Sequence, residues 1–181
     1  MSGETTFSTL SADELERRIG ELGALLHACV HAGANINFVL PFSEADAEAF
    51  WTRKVLPALR GGARVLWIAE RDGRIAGSVQ LDADMPPNQA HRAEVTKLMV
   101  HPDFRRQGIA KALMAELERR ADALGRSLIT LDTRTGDRAE PLFASLGYIA
   151  AGIIPDFCRD PVEERMHPTT IIYKHLPRVR A

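Results

Sequence analysis

The stretch from Arg92 to Asp132 constrains this chain more than any other. Residues Arg92 to Val100 alternate as a strand, with Glu94, Thr96, Leu98 and Val100 expected on one face and Val95, Lys97 and Met99 on the other. Pro102 ends the strand. A helix over about 107–124 follows, with Ile109, Leu113, Leu117 and Ala121 along one side and Gly125 suited to its C′ position. Residues Ser127 to Asp132 then read as a short, strongly apolar strand. A strand, helix and strand joined this closely form a parallel crossover, and such crossovers are right-handed.

The flanking segments dress this unit on both sides. Residues Phe7 to Leu10 read as a first strand, and Ser11 with Glu14 forms a capping-box pattern. Leu15, Ile19, Leu22, Leu26 and Val30 then follow at helical spacing, predicting one helix. A second helix is expected from Ser43 to Leu56, ended by Pro57. Asp72-Gly73 is a two-residue hairpin turn between strands Arg64–Glu70 and Ile75–Leu81, because both of its central positions favour positive φ. A helix over 138–146 closed by Gly147, and strands over 148–153 and 169–175, complete the order β-α-α-β-β-β-α-β-α-β-β. That order is a mixed α/β domain, and 181 residues without repeats or linkers fit a single domain over 1–181.

Composition narrows the function classes. A net charge of -1 gives no support for nucleic-acid binding. The apolar run Leu22 to Val30 is interrupted by His27 and too short to span a bilayer, and the N-terminus carries no secretory pattern. Cys29 and Cys158 match no metal spacing and are expected as free thiols of a cytoplasmic protein, so no metal is expected.

The loop at the head of the central helix, Arg105-Arg106-Gln107-Gly108-Ile109-Ala110, is the sharpest chemical feature. A helix N-terminus leaves backbone N–H groups unpaired and carries the positive end of the helix dipole. Two arginines add charge, and Gly108 and Ala110 remove bulk where a ligand approaches the backbone. The combination suits a pyrophosphate.

This loop and the strand before it, K-L-M-V-H-P-D-F-R-R-Q-G-I-A over 97–110, resemble motif A of the GNAT superfamily of N-acetyltransferases. Arg105, Gly108 and Ala110 stand at its defined positions. A-E-P-L-F-A-S-L-G-Y at 139–148 resembles the family's next motif, a helix ending in Leu-Gly and an aromatic residue. The resemblance implies an α/β fold of α+β type: a mixed, mostly antiparallel sheet of about seven strands, with a parallel, splayed fourth and fifth pair and about four helices. It implies acetyl-CoA as co-substrate. The backbones of Leu98, Met99 and Val100 would meet the pantetheine arm, N–H groups from Arg106 to Lys111 (with Gln107, Gly108, Ile109 and Ala110 between) would hold the pyrophosphate, and the helix carrying Phe143 would flank the thiol end. A small-molecule amine is the expected acceptor, with a protein or peptide amine, or a CoA-binding module without catalysis, as the alternatives. A homodimer is a family-level expectation. H-R-A-E-V-T-K-L-M-V at 91–100, L-D-T at 131–133 and H-P-T at 167–169 are similar to the tabtoxin-resistance type, which acetylates a small amino-acid-like toxin.

Transfer to an amine needs a base, and Glu94 and Asp132 on the central strands are the candidates. The alternatives are pairing of Glu94 with Arg92 or Lys97 and a loop-capping role for Asp132. Phe143 stands where many members of the family carry a tyrosine acid, and phenylalanine has no proton to donate. Tyr148 reads as a core aromatic. His91 and His167 are candidate substrate or relay groups. Phe38, Trp51 and Trp67 are candidate pocket aromatics, Trp67 being the one that reads more readily as core, and the charged segment 156–167 is a candidate wall.

Overall fold

The computed structural model describes residues 3–177; residues 1–2 and 178–181, the ends of the expected single domain, lie outside the described residues. Seven strands form one sheet in the order β1-β2-β3-β4-β5-β7-β6. They are β1 (Thr6–Thr9), β2 (Arg64–Arg71), β3 (Arg74–Asp82), β4 (Arg92–Val100), β5 (Leu128–Arg134), β6 (Ile149–Arg159) and β7 (Met166–His175). Only β4 and β5 pair in parallel, and the other neighbours are antiparallel. The helices are α1 (Ala12–Arg17), α2 (Ile19–His31), α3 (Glu44–Phe50), α4 (Leu56–Arg60), α5 (Ile109–Ala123) and α6 (Ala139–Ser145). The fold is the splayed mixed sheet expected from the sequence.

Two apolar cores sandwich the sheet. One lies under α5, where Ile109, Leu113, Leu117 and Ala121 are all buried at the expected spacing, joined by Met114. The other lies under α1 to α4 and contains Leu15, Leu22, Leu26, Val30 and Trp51. Asp72 and Gly73 both take positive φ (51° and 72°), as the hairpin requires. Gly125 takes φ 70° after α5.

Three expectations are corrected. The single first helix is broken at Arg18 (φ -112°), which separates the short capped α1 from α2. Pro57 does not end the second helix: a π-helical turn, Trp51–Val55, intervenes, and Pro57 falls in the first turn of α4. That is where a residue without an N–H costs nothing. The π turn also buries Trp51, whose Nε1 donates to the Leu22 carbonyl at 2.9 Å and ties α3 to α2. The last two strands are longer than expected, since β6 runs on to Arg159 and β7 starts at Met166, so both ends of the segment expected as a wall from Asp156 to His167 are strand.

The fourth correction matters most for the site. The alternation along β4 does not run unbroken. Ser78 faces Met99 and Gln80 faces Thr96, so one residue of β3 spans two of β4, Lys97 and Leu98. This is a β-bulge. Lys97 takes φ 52°, a left-handed conformation unusual for a side chain of this size. The faces exchange across it. Val95 belongs to the core under α5, Met99 to the core under α2, and Leu98 and Val100 pack back toward α5. Glu94 and Thr96 therefore do not share a face with Leu98 and Val100.

The bulge brings β3 close to the end of β4. A Cβ added at Gly77 would sit 2.8 Å from the Met99 carbonyl oxygen and 3.2 Å from Ile109 Cγ2. Neither β4 nor α5 can withdraw without opening the core. Gly77→Ala is expected to cost about 1–3 kcal/mol in urea denaturation; unchanged stability would show that β4 is free to shift there.

Candidate active site

Strands β4 and β5 pair over three positions only, Arg92 with Leu128, Ala93 with Ile129 and Glu94 with Thr130. Beyond that, β4 stays with β3 as far as Val100, and β5 stays with β7 as far as Arg134. The strands part, and a cleft of about 680 Å³ opens between them. Its walls include Leu98, Met99 and Val100 on β4, Leu131 and Asp132 on β5, the α5 loop, and Phe143 on α6.

The β4 wall offers backbone hydrogen-bonding groups unequally. Met99 pairs with Ser78 on β3, so its neighbours Leu98 and Val100 turn their N–H and C=O groups the other way, toward the gap. The Val100 carbonyl is already engaged, by Arg105 Nε at 3.3 Å and by Cys29 Sγ at 3.5 Å. Arg105 thus fixes the end of the strand. Burial pushes the Cys29 thiol up to about 11, with Arg105 opposing. Both cysteines are free.

At the head of α5, Arg106 (φ 64°) and Gly108 (φ 81°) both take left-handed conformations. The first helical hydrogen bond runs from Ala112 N–H to the Gly108 carbonyl, 3.0 Å. The N–H groups from residue 106 to 111 have no backbone acceptor among the described residues. Arg105, Arg106, Gly108, Ile109, Ala110 and Lys111 line the cleft, whereas Gln107 does not and sits on the neighbouring surface with Asp72 and Asp103. Space is open around Gly108, where an added Cβ would meet nothing within 4 Å.

Glu94 and Asp132 line the same cleft. Glu94 is held by Arg92 at 3.4 Å, and 40% of its side chain is exposed. Asp132 accepts a hydrogen bond from Thr169 Oγ1 at 3.4 Å. Phe143 is buried against the cleft, and α6 is held in place by Lys174 Nζ, which donates to the Leu146 carbonyl and to Glu118, each at 2.7 Å. Tyr148 packs edge-on to Phe143 at 5.6 Å. Burial, with Glu118 nearby, pushes its phenol far up, and it does not line the cleft.

Other candidates separate from the site. His91 is exposed and His167 is tied to Asp160 at 3.0 Å; neither lines the cleft. Asp160 also binds Arg134 at 3.1 Å, and N–H bonds from Glu163 and Val162 lead in pushing its carboxyl down to about 2. His167 therefore braces the wall instead of relaying protons. Trp51 and Trp67 are core. Phe38 packs with Phe42 and Phe50 and does not line the cleft.

Two contributors were not legible in the sequence as site residues, the loop after α2 and Lys97. Asn35, Ile36 and Asn37, in the loop after α2, line the cleft opposite Phe157 and Cys158 of β6. The two walls meet where Leu40 N–H donates to the Pro161 carbonyl at 2.8 Å, and where Asn35 Nδ2 donates to Cys158 Sγ at 2.9 Å. The other is Lys97 at the bulge. Its ammonium lies 5.5 Å from the Phe38 ring and 5.6 Å from the Phe50 ring. Burial pushes it down to about 8, with Asp132 opposing and Arg64 adding.

A model of the acetyltransferase (GNAT) family matches residues 30–148. The chain belongs to that family. An N-acetyltransferase from the hisH-hisA intergenic region of Azospirillum brasilense is 34% identical over 130 residues, which cover 68% of this chain and 74% of that protein. Human N-acetyltransferase 8 is 35% identical over 113 residues, 61% of this chain and 49% of its own length, so the chain spans about half of that relative. The structure of yncA from Salmonella typhimurium with its cofactor acetyl-CoA superposes with a TM-score of 0.77 at 16% identity, covering 98% of this chain and 97% of that one. The protein is thus an N-acetyltransferase by family, and its cleft sits where the sheet parts.

Lys97 carries a stability cost that can be measured. A lysine whose folded pKa is depressed from 10.5 to about 8 binds its proton less well folded than unfolded, so stability contributed by this site rises with pH between about 8 and 10.5. Lys97→Met is expected to raise unfolding free energy at pH 7 by about 1–3 kcal/mol, with the gain shrinking toward pH 10.5. Equal effects at both pH values, or a loss at pH 7, would contradict this account of the buried ammonium.

Proposed function

We propose that the protein is an acetyl-CoA-dependent N-acetyltransferase acting on the amine of a small molecule by direct transfer. The observation that carries this is a single cleft with two different ends. One end is the row of unpartnered N–H groups at the head of α5; the other is bridged where Asn35 Nδ2 donates to Cys158 Sγ at 2.9 Å, both residues lining the cleft. A bridged end suits a compact acceptor, whereas a protein chain needs an open groove. The motifs similar to the tabtoxin-resistance type support the same choice.

The residues fit acetyl-CoA. Free N–H groups from Arg106 to Lys111, the helix dipole and the cations of Arg106 and Lys111 suit a pyrophosphate. The outward backbone groups of Leu98 and Val100 suit the amides of the pantetheine arm. The apolar surface of Phe143 suits the neighbourhood of the thiol. Acetyl-CoA supplies an activated acetyl thioester. Glu94 and Asp132, on opposite sides of the parting strands, are placed to take the proton of the acceptor amine directly or through water. Arg92 lies 3.4 Å from the Glu94 carboxylate, and Thr169 Oγ1 lies 3.4 Å from Asp132.

The loop assignment predicts a graded outcome. Gly108→Ala keeps open space around the new Cβ but imposes a positive φ, so it is expected to weaken acetyl-CoA binding only modestly. Gly108→Glu sets a negative charge against the pyrophosphate and is expected to weaken binding by about 100-fold or more in calorimetry. Equal affinities for both variants and the parent would remove the loop from the cofactor site. Of Glu94→Gln and Asp132→Asn, the one that removes the base is expected to lower kcat by about 100-fold or more without loss of acetyl-CoA affinity. Full turnover in both would leave the amine to lose its proton to solvent.

A further inference from the structure

Lys97 is costly to the fold in two ways and is repaid by neither. Its backbone is left-handed (φ 52°), which disfavours any side chain with a Cβ. Its ammonium is desolvated, and neither an ion pair nor a hydrogen bond to it exists among the described residues. A buried charge of this kind is normally paired. Here the aromatic faces of Phe38 and Phe50 take the place of a counter-ion, and such faces attract a cation without neutralising it.

Most other charges on the two parted strands are answered. Glu94 has Arg92. Asp132 has no cation paired to it among the described residues and only Thr169 Oγ1 at 3.4 Å. Arg134 has Asp137 and Asp160, at 3.6 and 3.1 Å. Among the described residues of β4 and β5 that line the cleft, Lys97 is the one cation left without an ion pair or a hydrogen bond. It also lies on the acceptor side of the sheet. Phe38 and Phe50 belong to the layer under α2 and α3, while the α5 loop belongs to the opposite layer. The cations of that loop and Lys97 therefore serve different ends of the cleft.

We infer that Lys97 is a specificity-determining residue that binds an oxyanion carried by the acceptor, so that the preferred acceptors are amines bearing a carboxylate or a similar acidic group. This rests on the small-amine reading above and names the class of amine. An acceptor anion would complete the missing ion pair inside an enclosed, poorly hydrated site, where charge-assisted hydrogen bonds are strong. Asp132, which faces Lys97 electrostatically, would then stand near the amine end of the same molecule. A cation for the acid and a carboxylate for the amine on neighbouring strands match the two ends of an amino acid.

The test uses matched pairs of amines that differ only in the acid: α- and ω-amino acids and their carboxamides, each assayed with acetyl-CoA against the parent protein, Lys97→Asn and Lys97→Arg. Asparagine tolerates the left-handed backbone and removes the charge; arginine keeps the charge. The parent is expected to favour the acid in kcat/KM. Lys97→Asn is expected to cut the acid-to-amide ratio about tenfold or more, and Lys97→Arg to retain most of it. A merely structural lysine would lower both members of a pair together and leave the ratio unchanged, which would overturn the inference, as would a parent enzyme that prefers the amides. If acetyl-CoA binds normally and no member of the panel is acetylated, the small-amine reading itself fails and this inference fails with it. Melting temperatures and acetyl-CoA affinity of the variants separate misfolding from lost recognition.

Discussion

The structure depends on how briefly β4 and β5 stay together. Three paired positions suffice to make the parallel crossover, after which each strand follows its other neighbour. β4 is committed to β3, and β5 to β7. A hydrogen-bonded sheet cannot normally open in its middle, because separated strands leave N–H and C=O groups unpaired. Here the outward groups of Leu98 and the Val100 N–H border a cleft in which water or ligand can satisfy them, while Arg105 and Cys29 take the Val100 carbonyl. The open edge is a wall of that cleft, created where pairing stops.

The bulge at Lys97 makes that opening sharp. It adds a residue to β4 just beyond the last contact with β5, bends the strand, and exchanges its faces. The exchange gives each layer what it needs. Val95, Leu98 and Val100 meet α5, Met99 fills the core under α2, and Lys97 reaches the rings of Phe38 and Phe50. Gly77 is the matching concession on β3, the one place where backbone comes too close for a side chain. Arg105 then pins the far end of β4 by its bond to the Val100 carbonyl, so the strand end and the α5 loop move as a unit.

The sequence disclosed the parts of this arrangement that depend on local pattern. The α5 stripe, the Asp72-Gly73 turn and the basic glycine loop are all spelled by neighbouring residues, and the structure places them as expected. The bulge is not spelled that way. T-K-L-M-V reads as plain alternation, and only pairing with β3 reveals that Lys97 and Leu98 share one partner. Pro57 misleads for a related reason, since its effect depends on a π turn that exists to bury Trp51. The Asn35 to Leu40 wall has no periodicity at all, and its place is set by a hydrogen bond to Pro161, 121 residues away in the chain by the numbering of the two partners.

Phe143 shifts the proton problem to one side of the reaction. Tyr148 and Cys29, which carry dissociable protons, are poorly matched to a thiolate whose parent thiol has a pKa of about 8.5. Tyr148 is buried behind Phe143 with its phenol pushed far up, and Cys29 is raised to about 11 and engaged with the Val100 carbonyl. A thiolate of that basicity is a better leaving group than an amine and can depart without a proton already in place. The side that cannot do without help is the acceptor, because an ammonium has no lone pair with which to attack. In the proposed reaction Glu94, Asp132 and Lys97 serve that side, while the donor is met by the cations of Arg106 and Lys111 together with backbone and apolar surface.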